Sequence, residues 1–117
     1  LMVVLFSLFV SCYYDNEEAL YPVYGTKCDT VNVTFSATIV PILSSNCLSC
    51  HSNATAATFG NNIKLQGYAD VKANATAVAG AIKHTGTYSP MPKNGAKLSD
   101  CSIKQFDIWV SKGMLNN

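Results

Sequence analysis

Cys47-Leu48-Ser49-Cys50-His51 is the stretch that organises the rest of this chain. Two thiols separated by two residues and followed at once by an imidazole make the C-x-x-C-H spacing of covalent heme attachment. The thiols reach both vinyl groups of one porphyrin and form thioethers, and the adjacent His51 is carried under the iron as an axial ligand. Two other chemistries use paired cysteines. Zinc asks for four N or S donors, so Cys28, Cys101 or His84 would have to join the motif. A redox C-x-x-C opens a helix after a strand in a β-α-β pattern, which is absent here.

Upstream, Ile39, Ile42 and Leu43 recur at three- and four-residue spacings and predict one apolar helix face running into the motif. Pro41 is tolerable if that helix starts near it. Downstream, Thr55 to Asn62 reads as loop, and Leu65 to Lys83 holds an Ala-rich run that suits one or two helices. The last predicted helix presents Ile103, Phe106, Ile108, Trp109 and Val110 as a broad apolar face, with Ser99 or Asp100 as its cap. Only the β-branched run Val31-Asn32-Val33-Thr34-Phe35 suggests a short strand, so the expected fold class is all-α.

A covalent heme with one histidine ligand leaves a second axial position, and its occupant decides between electron transfer and small-molecule binding. Met91 is the candidate. It lies in Ser89-Pro90-Met91-Pro92-Lys93-Asn94-Gly95, where flanking prolines exclude a helix and leave a loop able to bring a thioether to the iron. The competing role for Met91 is core filler. His84 is its chemical rival as a ligand, and is otherwise expected to hydrogen-bond near a heme propionate. The iron ligands expected are therefore His51 and Met91, with Cys47 and Cys50 holding one heme c.

The chain has 117 residues, room for one domain. Eight lysines, no arginine and seven acids give a formal charge of +1, which provides no electrostatic footprint for nucleic acid. Lys83, Lys93 and Lys97 cluster around the Met91 loop and could steer an acidic protein partner. Leu1 to Val10 is apolar except for Ser7. As a helix it would span about 15 Å, half a bilayer's hydrocarbon core, so residues 1–11 are expected to be the apolar part of a signal peptide truncated at its start.

Phe9-Val10-Ser11-Cys12 resembles a bacterial lipobox, which implies acyl chains on Cys12 and membrane anchoring without spanning. The acidic Asp15-Asn16-Glu17-Glu18 and the turn-forming Tyr21-Pro22-Val23-Tyr24-Gly25 read as a lipidated tether over residues 12–27. An acidic run after such a cysteine is similar to the surface-export signal of Bacteroidetes lipoproteins. The protein is thus expected to be exported and to face the periplasm or the cell surface.

With motif and loop in place, residues 28–117 resemble the small class I-like monoheme c-type cytochromes, similar to cytochrome c lipoproteins of Bacteroidetes. The resemblance rests on Pro41-Ile42-Leu43 leading into the motif, on Pro90-Met91-Pro92, and on Phe106-Asp107-Ile108-Trp109-Val110-Ser111-Lys112-Gly113. The interval between His51 and Met91 is shorter than in larger members. The resemblance implies an orthogonal helical domain wrapped around one heme, with the helix before the motif crossing the last one.

Cys28 and Cys101 remain after these assignments, and in an exported protein they most simply pair as a disulfide, the alternative being two separate thiols. The function expected is an electron carrier in a respiratory or extracytoplasmic redox chain. It would act with redox partner proteins, without diffusible substrate and not as an enzyme. The alternatives are a heme-based sensor or peroxidase-like enzyme with a displaceable Met91, and a subunit of a larger cytochrome assembly.

Overall fold

The computed structural model describes residues 27–117. The expected signal peptide and nearly all of the tether, Cys12 included, lie outside the described residues. Among the described residues the regular elements are all helical, in agreement with the expected all-α class. Among these residues no helix is long and apolar enough to cross a membrane.

The 31–35 segment forms no strand. The Asp29 carboxylate accepts hydrogen bonds from the amides of Val31 (2.9 Å) and Asn32 (3.0 Å), closing a local turn. These two backbone bonds, Asn32's first, hold the Asp29 carboxyl below its usual range. Two residues later Thr34 becomes a helix cap: its hydroxyl accepts from Ala37 N, while its own amide donates to the Thr38 hydroxyl. Local capping therefore overrides the β-branched composition, because a lone strand would leave its backbone groups unpaired.

A π-helical turn, Phe35–Ile39, leads directly into α1, Val40–Asn46. Ile39 N bonds Thr34 O, and Val40 N bonds Phe35 O, both five residues back. This wider winding stands just ahead of Pro41, which has no amide to donate and whose ring crowds the carbonyl four residues earlier. Ile39 and Leu43 are buried and Ile42 packs beside them, as their spacing predicts. The helix is interrupted at Cys47 and restarts as the single-turn α2, Leu48–His51.

Residues 55–62, expected to be loop, contain a further helical turn, α3, Ala56–Phe59. Ser52 organises it, its hydroxyl accepting from Thr55 N (3.2 Å) and its carbonyl from Ala56 N (2.9 Å). Ala56, its first residue, is fully buried. One turn is too short to carry a periodic apolar signal.

The Ala-rich region forms two helices, α4 (Tyr68–Ala73) and α5 (Ala75–Lys83), separated by Asn74. Asn74 donates from its side chain to Asp70 O at 2.8 Å, satisfying a carbonyl at the break. Val71, Ala75, Val78 and Ile82 are buried and continue one face across both helices. The last helix, α6, Asp100–Ser111, is capped by Ser99, whose hydroxyl accepts from Ser102 N at 3.1 Å.

Phe106 and Trp109 of α6 are almost completely buried, and each contributes about 1.5–3 kcal/mol by area. Phe35 joins the elements: its ring lies 5.6 Å from Trp109 and edge-on to Tyr68 at 5.3 Å. The π-helical turn and α6 therefore pack through an aromatic pair at the centre of the core. The Lys83–Asp107 ion pair (2.7 Å) links α5 to α6.

The carboxy-terminal residues return over the same region. Trp109 donates to Leu115 O, Tyr68 to Met114 O, and the amides of Phe35 and Ser36 donate to Asn117. Cys28 is bonded to Cys101 at the start of α6, with Cα atoms 5.6 Å apart across 73 residues of sequence.

Candidate functional site

Cys47, Cys50 and His51 share one helical turn, set off by the interruption of the helix at Cys47. The Cys47 carbonyl accepts from His51 N at 2.9 Å and from Cys50 N at 3.2 Å, so the turn is closed by its own first residue. Cys47 is half-buried and Cys50 exposed, and both are free thiols. Burial pushes the Cys47 thiol up from an ordinary 9.0 to about 11.

The His51 ring is held from a second direction. Its Nδ1 lies 2.8 Å from the carbonyl oxygen of Ile63. A carbonyl oxygen only accepts, so Nδ1 carries the hydrogen, and in the neutral ring the lone pair is on Nε2. Leu65 N also donates to His51 O at 2.8 Å, so residues 63–65 clasp both the ring and the main chain of His51. Gly60 makes this approach possible: a Cβ there would stand 2.5 Å from Cys50 O and 2.9 Å from His51 Nδ1. Asn61 and Asn62 follow in the left-handed region, φ 50° and 61°, and turn the chain back toward the ring. The Gly-Asn-Asn string is a turn signal readable in the sequence; that its turn serves His51 is not.

Met91 is held from the end of α5. Its amide donates to Ala81 O at 3.0 Å, and its carbonyl accepts from His84 Nε2 at 3.0 Å, so the loop is strapped to the end of α5. The Met91 residue is half-buried. Among the described residues no hydrogen bond joins this strap to the C-x-x-C-H turn. His84, expected near a propionate, has its Nε2 engaged with Met91. Of the three lysines expected to steer a partner, Lys83 is paired with Asp107 and Lys97 with Asp100 (3.0 Å), which weakens the positive cluster.

The donor chemistry fits a covalently attached heme. Two free thiols sit at the required spacing, and the imidazole that follows them has one nitrogen committed to a carbonyl and the other available to a metal. A zinc site lacks its further donors: Cys28 and Cys101 are bonded to each other, His84 Nε2 is engaged with Met91, and among the described residues no three His, Cys, Asp or Glu side chains are placed to hold one metal ion. The β-α-β setting of a redox pair is also missing from the described residues. Compared with protein-family models, curated proteins and solved structures, the chain has no match.

Proposed function

We propose that this chain is a monoheme c-type cytochrome, an exported and membrane-tethered carrier of single electrons between protein partners, and not an enzyme. The observation that carries the reading is the hydrogen bond from His51 Nδ1 to Ile63 O, which orients Nε2 for a metal directly beside two free cysteines. Cys47 and Cys50 would hold the heme through thioethers, and His51 and Met91 would be its axial ligands. The heme, when bound, supplies the one-electron ferric/ferrous couple. The chain's part is to orient His51 through Ile63 and to hold the Met91 backbone against α5; with both residues on the iron, diffusible substrates would be kept from it.

A class I-like cytochrome c arrangement, with the helices wrapped around the heme, is the finer fold assignment that belongs to this reading. The Cys28–Cys101 bond supports export, since such bonds persist in oxidising compartments. Residues 1–11 would direct that export, and acyl chains on Cys12 would anchor the product at the periplasmic or cell surface.

Mass spectrometry and near-infrared absorption of the native protein test the assignment. One covalent heme, cleavage before Cys12 with acylation, and a methionine-to-ferric charge-transfer band are expected. A high-spin spectrum that shifts with carbon monoxide would turn the assignment to a sensor or peroxidase-like enzyme, and a colourless, iron-free protein would end it.

A further inference from the structure

We propose that His84 is the positioning residue of Met91: its imidazole and the Ala81 carbonyl grip the Met91 peptide group by group and set where the thioether is presented. The inference rests on Met91 being an iron ligand.

Both anchors come from the end of α5. Met91 N donates to Ala81 O, and His84 Nε2 donates to Met91 O, each at 3.0 Å; the carbonyl can only accept, which makes His84 the donor. Between these anchors Ile82 is buried in the core, so the platform that holds the strap is itself fixed. The Tyr88 ring lies on Gly80, where a Cβ would collide with it, and pins the chain on its way to the strap.

The backbone at His84 gives the second line of support. Residue 84 is left-handed, φ 55° and ψ 40°, with His84 N bonded to Ala81 O and Thr85 N to Gly80 O. This is the helix-ending motif in which glycine is usual, because glycine alone adopts that conformation without crowding. Ending the helix does not call for an imidazole. The side chain is accounted for by its reach to Met91, seven residues on.

The test compares purified native holoprotein with His84→Gly and His84→Gln. Glycine relieves the left-handed backbone, so the melting temperature should hold or rise while the bond to Met91 is lost. Exchange of the Met91 amide should then speed up roughly five- to tenfold, the loss of about one hydrogen bond. The ferric methionine band should weaken and the reduction potential fall. Glutamine restores an N–H donor of similar reach and should return exchange, band and potential toward native values despite its less favourable backbone. Unchanged readouts in His84→Gly would overturn the proposal, as would losses that track a falling melting temperature and are not rescued by glutamine. A native protein that carries heme but shows no methionine band removes the proposal and leaves the heme assignment standing. A colourless native protein removes both.

Discussion

Gly60 lies against His51 so closely that a Cβ on it would come within 2.9 Å of the ring nitrogen Nδ1, and within 2.5 Å of the Cys50 carbonyl oxygen on the same turn. The carbonyl is main chain and has no rotamer through which to yield. Gly60→Ala must therefore move the 60–65 loop, and with it the Ile63 oxygen that orients His51. The expected cost is about 1–3 kcal/mol, typical of overpacking. Thermal unfolding should record the loss and heme incorporation should fall with it. An alanine variant with native stability and full heme content would show that the contact does not govern the site.

The bond between Cys28 and Cys101 closes 73 residues of sequence. Replacing both by serine should lower stability by about 2–4 kcal/mol through the freer unfolded chain. The replacement should leave the helical circular dichroism of the folded protein in place. Urea unfolding of the double variant, beside native protein with and without reductant, measures the difference. A midpoint insensitive to both treatments would contradict it.

Cys47 and Cys50 should differ in reactivity in folded, heme-free protein. With its thiol at about 11, Cys47 is thiolate in about one molecule per thousand at pH 8. Iodoacetamide should thus modify the exposed Cys50 first, and the Cys47 rate should climb about tenfold per pH unit toward 11. The same shift has a sign for stability. Burial favours the neutral thiol, so its contribution is fully present below 9.0 and is lost as pH rises from there through about 11. Peptide mapping after timed alkylation gives the order, and equal rates at both cysteines would refute it.

Where burial repeats along the sequence, the fold was legible in it. Ile39 and Leu43, and Phe106 and Trp109 behind the Ser99 cap, are placed by spacing and capping chemistry alone. Val31–Phe35 misled because β-branching is a statement about packing neighbours, whereas Asp29 and Thr34 supply hydrogen bonds on the spot. Helix α3 escaped because a single turn stabilised by Ser52 has no period to detect. At the site, the cysteines and His51 announce themselves by adjacency. The groups that orient His51 and Met91 are the main-chain carbonyls of Ile63 and Ala81 and the side chain of His84, and which carbonyl a ring or amide finds is decided only by the folded path of the chain.

The sulfur bridge from Cys28 to the head of α6 also has a mechanical side. Load applied from the amino-terminal direction enters the domain at Cys28 and crosses directly to Cys101, bypassing the seventy-odd residues that carry the C-x-x-C-H turn and the methionine strap. The bonds from Phe35 and Ser36 to Asn117 hold the opposite end of the same helix region against the first turn, so tension is shared between covalent and polar links. A domain pulled from that end would thus be strained between Cys28 and Cys101, leaving the C-x-x-C-H turn slack.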